Sequence, residues 1–287
     1  MKIVLKRPII GIKNILDMNK KELKIKTSEI RRQVLEMIYK SKSSHIGSCF
    51  SIIDILTVLY FQVMNIKPSK PNFEDRDIFV LSKGHAAAAL YSTLALRGFF
   101  PISNLEGFCE NGSKIAGHVI KDCLSGVEAT AGSLGHGLSM TAGMALANRY
   151  NNRKFYCILG DGECNEGSVW EAAMFCSQFK LKNIILIVDV NKQQGLGKTD
   201  NIINMNEMAK KWESFGWDVK EVDGHDLNAL DTQLTSFSQK KGEKPSVLIA
   251  NTVKGKGVSF MEDKIKWHYK SPNEEEYKMA ISELEKI

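Results

Sequence analysis

Short apolar runs alternate with longer amphipathic segments along most of the chain. β-Branched and aromatic residues are frequent in the short runs, which predicts strands over 77–81, 155–159, 184–188, 217–222 and 246–252. Apolar spacings of three and four residues predict helices over 25–40, 51–64, 86–96, 135–150, 166–179, 206–215, 227–238 and 272–286. This alternation predicts an α/β fold with a doubly wound, mainly parallel sheet and helices on both faces.

Two local features refine this prediction. Ser51 precedes Asp54 and is predicted to cap the helix over 51–64. Residues 100–134 are rich in Gly, Ser and Asn and lack a long period, so we expect an extended loop, which at that length is usually functional. A length of 287 residues fits one large domain. We place it at 25–287 and leave 1–24 as an N-terminal extension without an assigned role.

Composition narrows the class of protein. A hydrophobic content of 43% and a charged content of 25% are ordinary for a globular protein. The net charge of +6 is spread along the chain, so we expect no nucleic-acid partner. No apolar run reaches membrane-spanning length, and the first residues lack the features of a signal peptide. The six cysteines show no metal-binding spacing, which predicts reduced thiols in a cytoplasmic protein.

Polar residues follow two neighbouring predicted strands. Gly160-Asp161-Gly162 ends the strand over 155–159, and Asn191 follows the strand over 184–188. Carboxyl ends of parallel strands meet at one edge of a sheet, so we expect Asp161 and Asn191 to lie close together. A carboxylate, an amide oxygen and a nearby backbone carbonyl suit Mg²⁺ or Ca²⁺, and a diphosphate would complete the coordination. The alternative is an ordinary βαβ unit whose turn happens to carry Asp and Gly.

This Gly-Asp-Gly with an Asn about 30 residues after the Asp resembles the thiamine diphosphate motif. The stretch Glu-Gly-Ser-Val-Trp-Glu-Ala over 166–172 resembles transketolases in particular, and the resemblance extends over about 25–269. It implies thiamine diphosphate as the cofactor, with a metal held by Asp161, Asn191 and the main-chain carbonyl of Gln193. It also implies that Gly160 and Gly162 approach the phosphates.

The resemblance places a second loop against the cofactor. Gly132 and Leu134 would lie against the thiamine, and Gly132 and Gly135 would let this loop pass close to it. A helix that begins near Gly135 would offer free N–H groups to an anion. A flexible hinge is the alternative explanation of these glycines.

Four of the six histidines stand where transketolases place active-site histidines: His45, His85, His118 and His268. The resemblance implies that His45 and His268 transfer protons at sugar hydroxyls, while His85 and His118 contact a two-carbon fragment. His85 and His268 would also flank the diphosphate. Histidine suits these roles because it exchanges protons near neutral pH.

Other positions depart from the pattern or fit other roles. His136 stands where the family usually has Gln, and His225 is predicted to be structural. Ile46 replaces a usual proline, and Val-Ile-Lys follows His118 where Pro-Glu is usual, which leaves the substrate open. Residues 195–199 imitate the tail of a Walker A loop, but Lys192 occupies the place of its first glycine, which disfavours a nucleotide triphosphatase.

The resemblance implies an enzyme that transfers a two-carbon ketol unit from a ketose to an aldose. It covers only the diphosphate-binding domain, so we expect a split transketolase whose partner subunit carries the pyrimidine-binding and C-terminal domains. Glu166 and Glu171 resemble carboxylates at the dimer interface that link the two active sites, which implies that Glu166 is also a catalytic and cofactor-binding residue. The same resemblance predicts an α₂β₂ assembly. Solvated helix carboxylates are the alternative.

Three other functions stay open from the sequence. Two use the same cofactor: a deoxyxylulose phosphate synthase-like enzyme and a ketoacid dehydrogenase-like α subunit. The third is a non-catalytic regulatory homologue that binds no thiamine. Trp267-His268 and the Leu-Ser-Lys-Gly-His stretch over 81–85 favour transketolase over the first two. The presence of Asp161, Asn191 and Glu166 argues against the non-catalytic homologue. The substrate is a sugar phosphate or a less usual sugar, including one carried on a nucleotide.

Overall fold

A sheet of parallel strands forms the centre of the computed structural model, which describes residues 18–286. Its strands are β1 (Ile78–Leu81), β2 (Phe155–Gly160), β3 (Ile184–Val190), β6 (Asp218–Asp223) and β7 (Ser246–Asn251). Their spatial order is β1-β2-β3-β7-β6, and every neighbouring pair is parallel. A small antiparallel hairpin, β4 (Gln193–Gln194) and β5 (Gly197–Lys198), follows β3. Residues 1–17 of the predicted N-terminal extension lie outside the described residues.

Helices cover both faces of this sheet, as the sequence predicts. They are α1 (Lys20–Ser41), α2 (Ile46–Phe50), α3 (Ile53–Val58), α4 (Ala87–Arg97), α5 (His136–Ala147), α6 (Gly167–Gln178), α7 (Thr199–Ile202), α8 (Met208–Ser214), α9 (Leu227–Gln239), α10 (Lys266–Tyr269) and α11 (Glu274–Leu284). Alternate strand residues point to opposite faces, so Phe79 and Leu81 join one apolar core while Ile78 and Val80 join the other. Both faces of β1, β2, β3 and β7 are covered, which explains why these strands are nearly continuous apolar runs. The edge strand β6 is partly exposed and carries Asp, Lys and Glu.

The N-terminal helices differ from the prediction. α1 begins at Lys20, five residues early, because Asn19 and Glu22 form a capping box there. The predicted helix over 51–64 is divided into α3 and a π-helical turn, Leu59–Val63. The prediction that Ser51 caps this helix is wrong, because Ile52 is the N-cap residue of α3. The Ser51 hydroxyl instead donates to Asp189 Oδ2 at 2.8 Å, a tertiary partner that replaces the local cap.

The segment over 100–134 is irregular apart from a 3₁₀ turn at Ile102–Leu105 and an isolated bridge between Val119 and Ala131. The Val119 N–H donates to the Gly84 carbonyl at 3.3 Å, so the loop is attached just beyond the carboxyl end of β1. All six cysteines are free thiols. Within residues 18–286, no helix combines the length and the apolar character needed to cross a bilayer.

Candidate active site

Asp161 follows β2 at the carboxyl edge of the sheet, and neighbouring groups fix its carboxylate. Oδ1 accepts the Gly162 N–H at 2.8 Å, and Oδ2 accepts the Lys192 N–H at 2.8 Å and the Thr199 hydroxyl at 3.0 Å. Burial and the nearby Asp189 carboxylate raise the pKa of Asp161 to about 6. A bound divalent cation would favour the ionised form of this side chain.

Asn191 and Gln193 lie beside Asp161, as predicted. The Asn191 amide donates to Asp189 Oδ2 at 2.9 Å, and its oxygen accepts the Gln193 N–H at 3.1 Å. Asp161, Asn191 and Gln193 all line one cavity of about 210 Å³, which we call the inner cavity. No three His, Cys, Asp or Glu side chains converge on a metal position between residues 18 and 286. A cation here would therefore be held by one carboxylate, one amide oxygen and one main-chain carbonyl, a set that suits a hard ion.

Two buried lysines line the same cavity, and sequence reasoning missed both. Lys83 is 1% exposed and its Nζ lies 2.5 Å from Asp189 Oδ2. Burial opposes ionisation of Asp189, but the Lys83 ammonium and several hydrogen bonds outweigh it and hold the pKa of that carboxyl below its usual range. Lys83 follows β1 closely and Lys254 follows β7, so the rule that pointed to Asp161 would also have found these lysines.

Lys254 differs from Lys83 because it forms no salt bridge with any carboxylate of the described chain. It is 2% exposed, and its Nζ contacts the Gln193 carbonyl at 3.3 Å and His268 Nδ1 at 3.0 Å. Burial and the nearby Lys83 lower the pKa of Lys254 to about 8. A buried ammonium without a counter-ion favours an anionic ligand in this cavity.

Glycines keep the backbone side of the cavity open. A Cβ on Gly160 would meet no atom within 4 Å, and one on Gly162 would lie 2.6 Å from the Gln194 side chain. The Gln193 Oε1 and Gln194 Nε2 atoms are buried and find no hydrogen-bond partner among the described residues. A metal-bound diphosphate fits this position, because the cavity offers open space, the ammonium groups of Lys83 and Lys254, and unpaired polar atoms.

Glu163 connects the loops around the inner cavity. Its Oε1 accepts the Gly135 N–H at 2.8 Å and the Ser82 hydroxyl, and its Oε2 accepts the Gly160 N–H at 3.2 Å. Burial raises the pKa of this carboxyl. One side chain therefore links the loops after β1 and β2 to the residue before α5. Leu134 of the same loop lines the inner cavity, whereas Gly132 is exposed and lines neither cavity described here.

The four predicted histidines converge beside this cavity. The His45 ring centroid lies 5.1 Å from that of His85, 5.8 Å from His118 and 5.0 Å from His268. His85 and His268 line the inner cavity, while His45, His85 and His118 line an adjoining outer cavity of about 360 Å³. His85 therefore belongs to both cavities.

Three of these imidazoles, those of His45, His85 and His268, have lowered pKa values that favour their neutral form. Burial, followed by nearby His118 and lysine charges, lowers the pKa of His45 to about 4. Burial and Lys254 lower the pKa of His268 to about 3, and burial with Lys83 lowers that of His85. The Lys254 ammonium donates to His268 Nδ1, so the ring proton of His268 resides on Nε2.

The predicted carboxylates lie away from the histidines. Glu166 is the N-cap residue of α6, is exposed, and packs beside Gly135. Glu171 is exposed within α6. Neither lines the inner or the outer cavity, and their role at an interface between subunits stays a prediction.

Comparisons with known proteins give the family. Residues 23–284 match the family "Transketolase, thiamine diphosphate binding domain". The chain is 40% identical to an apulose-4-phosphate transketolase subunit of Phocaeicola vulgatus over 264 residues, which cover 91% of this chain and 93% of that protein. It is also 40% identical to the 6-deoxy-6-sulfo-D-fructose transketolase subunit SqwG of a Clostridium species, covering 92% of this chain and 97% of the relative.

Solved structures agree with these sequence relatives. The chain superposes on transketolase from Campylobacter jejuni with a TM-score of 0.87 and 32% identity, covering 93% of this chain and 43% of that one. The superposition on transketolase from Leishmania mexicana has a TM-score of 0.86 and 28% identity, and it covers 92% of this chain and 41% of that one. This chain thus spans about two fifths of those longer enzymes but almost the whole of the two relatives named as transketolase subunits. It belongs to the transketolase family, of which it carries the thiamine diphosphate-binding domain.

Proposed function

We propose that this chain is the diphosphate-binding subunit of a two-chain transketolase that transfers a two-carbon ketol unit from a ketose to an aldose. The observation that carries the proposal is the inner cavity, where Asp161 and Asn191 face the buried ammonium groups of Lys83 and Lys254. The histidine group adjoins it at the outer cavity. The names of the relatives support transketolase over the deoxyxylulose phosphate synthase-like and ketoacid dehydrogenase-like alternatives.

The cofactor in this proposal is thiamine diphosphate with Mg²⁺ or Ca²⁺, held by Asp161, Asn191 and the Gln193 carbonyl. The bound cofactor supplies the carbanion chemistry, while the protein binds and orients it. Titration calorimetry on the complex with the partner subunit should show metal-dependent thiamine diphosphate binding that Asp161→Ala abolishes. Asp75→Ala is the matched control, since Asp75 is exposed, and it should bind normally. Unchanged affinity in Asp161→Ala would refute the cofactor assignment.

The histidines have separate roles in the proposed reaction. His45 and His268 move protons at the sugar hydroxyls, and His85 and His118 contact the two-carbon fragment in the outer cavity. The lowered pKa values keep His45 and His268 neutral at physiological pH, so each ring has one nitrogen that accepts and one that donates a proton. Because His268 Nδ1 already accepts from Lys254, its Nε2 is the nitrogen free to face a substrate hydroxyl.

The substrate is proposed only as a class, an anionic ketose with an aldose acceptor. The named relatives act on apulose-4-phosphate and on 6-deoxy-6-sulfo-D-fructose, which carry a phosphate and a sulfonate. A coupled assay with both subunits should therefore compare xylulose 5-phosphate with these two ketoses, each with an aldose phosphate acceptor. Consumption of pyruvate without ketol transfer would replace the proposal by one of the alternative thiamine enzymes.

The assembly in this proposal is α₂β₂, with a partner subunit that carries the remaining domains. The relatives from Phocaeicola vulgatus and from the Clostridium species are both named as one subunit of a transketolase, which supports a partner. An exposed apolar face beside Glu171, formed by Met174 and Phe175 of α6 and by Phe179 just after it, supports pairing of two α chains about a two-fold axis. Co-purification from the native cell with mass spectrometry should identify a second polypeptide, and native mass should give two copies of each. Cytoplasmic location stays a prediction from the cysteine content.

A further inference from the structure

His225 lies outside the inner and outer cavities, yet it contacts the segment that carries Lys254. It stands in the turn between β6 and α9. Its Nδ1 lies 2.7 Å from Asp54 Oδ2, and its Nε2 accepts the Val253 N–H at 2.8 Å. Because Nε2 is an acceptor, the ring proton resides on Nδ1 and is donated to Asp54.

Asp54 is in turn held by a buried arginine. Arg31 donates to both carboxylate oxygens, at 2.5 Å to Oδ2 and 3.3 Å to Oδ1, and both side chains are buried. The same guanidinium donates through Nε to the Lys256 carbonyl at 3.0 Å. The network therefore contacts the backbone on both sides of Lys254, at Val253 and at Lys256.

The Lys254 segment has left the sheet, so these contacts replace strand pairing. β7 ends at Asn251. Beyond it the Gly255 N–H donates to the Gly47 carbonyl at 3.0 Å, and a Cβ on Gly47 would lie 3.1 Å from Lys254 Cγ. The lysine stem is thus confined between the Gly47 backbone and the segment held by His225. Its ammonium group is thereby directed at the inner cavity.

We propose that His225 is a positioning residue for the diphosphate: by accepting the Val253 N–H it fixes the backbone from which Lys254 reaches the ligand. This inference rests on the proposed function, since it needs a diphosphate in the inner cavity. Removing the imidazole would deprive the Val253 N–H of this partly buried hydrogen bond. Residues that orient metal ligands by hydrogen bonds typically change affinity by about 10–100-fold when removed, and we expect the lower end of that range for an oriented lysine.

The test compares two substitutions that differ in which ring nitrogen they imitate. Glutamine places its oxygen near the Nε2 position and can still accept the Val253 N–H, whereas asparagine reaches only the Nδ1 position. On the complex with the partner subunit, His225→Asn should weaken metal-dependent thiamine diphosphate binding about tenfold. His225→Gln should retain most of the affinity. Equal losses in the two variants would overturn the inference.

A double-mutant cycle separates positioning from general destabilisation. If His225 acts through Lys254, His225→Asn should have little further effect on affinity in a Lys254→Met background. Losses that simply add would mean that His225 is only a structural residue. If the unsubstituted complex binds no thiamine diphosphate, the proposed function fails and this inference fails with it. That outcome differs from additive losses, which would refute only the positioning role of His225.

Hydrogen exchange gives a second measurement that needs no variant to fold. Coupling between two sites is reciprocal, so a Val253 hydrogen bond that favours ligand binding must itself be strengthened by the ligand. Adding inorganic pyrophosphate with Mg²⁺ to the full chain should slow exchange of the Val253 amide about tenfold, the same factor as the affinity change. Bound pyrophosphate with no change in exchange at Val253 would overturn the inference.

Discussion

The buried ion pair between Lys83 and Asp189 gives the sharpest prediction on stability. The two side chains are 1% and 0% exposed, and Asp189 also accepts hydrogen bonds from Ser51, Asn191 and Thr252. Asp189→Asn removes the charge but keeps the shape, so the Lys83 ammonium stays buried without a counter-ion. Breaking a buried pair from one side typically costs about 3–5 kcal/mol. This is a large part of the roughly 5–15 kcal/mol by which domains are usually stable.

Urea unfolding of the full chain at neutral pH measures this loss as a change in the free energy of unfolding. Lys83→Met combined with Asp189→Asn should recover part of it, because no unpaired charge then remains buried. Glu243→Gln is the control, since it breaks the solvent-exposed pair with Lys180 and should leave stability unchanged within error. A loss in Asp189→Asn no greater than that of the control would show that Lys83 is not held by this pair.

Two further predictions concern the glycine loops and the histidine group. Gly84→Ala should lower the free energy of unfolding by about 1–3 kcal/mol or more, because its Cβ would lie 1.8 Å from the Ala131 carbonyl oxygen. Gly143→Ala, where a Cβ meets nothing within 4 Å, should cause no loss. The pKa values of His45 and His268 are lowered to about 4 and 3 in the folded chain. Below about pH 6.5 the unfolded chain therefore binds more protons at these two residues than the folded chain does. These histidines therefore lower the free energy of unfolding as pH falls from about 7 to 5. Replacing both by Gln should make the free energy of unfolding, measured by urea titration, depend less on pH over that range. An unchanged pH dependence would contradict the assigned pKa values.

Much of the fold was accessible from sequence because its signals are local. A strand with both faces buried is a nearly continuous apolar run, and four such runs correspond to β1, β2, β3 and β7. The more polar segment over 217–222 corresponds to the edge strand β6. Parallel order then placed the residues that follow β2 and β3 at one edge. This order predicts that Asp161 and Asn191 lie together, as they do in the inner cavity, and the family resemblance indicates the histidines, of which His85 and His268 line the same cavity.

The remainder depends on tertiary partners that local patterns do not encode. Ser51 has the composition of a helix cap, but the buried Asp189 carboxylate is its actual partner. The strand-end rule places Lys83 and Lys254 at this edge of the sheet, but lysines are normally exposed, and only the packing of several segments shows that these two are buried. The role of His225 required knowing that Val253, distant in sequence, offers its N–H to the ring.

Isotope transfer tests the central claim, that this chain and a partner subunit together transfer a two-carbon unit. A ketose phosphate labelled with ¹³C at both C1 and C2 would be incubated with an unlabelled aldose phosphate, the co-purified complex, thiamine diphosphate and Mg²⁺. Carbon NMR should then show the two labels still bonded to each other in the new ketose, and the isolated chain should produce none. Ketol transfer by the isolated chain would contradict the claim of an obligate partner. Absence of transfer by the complex from every ketose in the proposed panel would contradict the transketolase function.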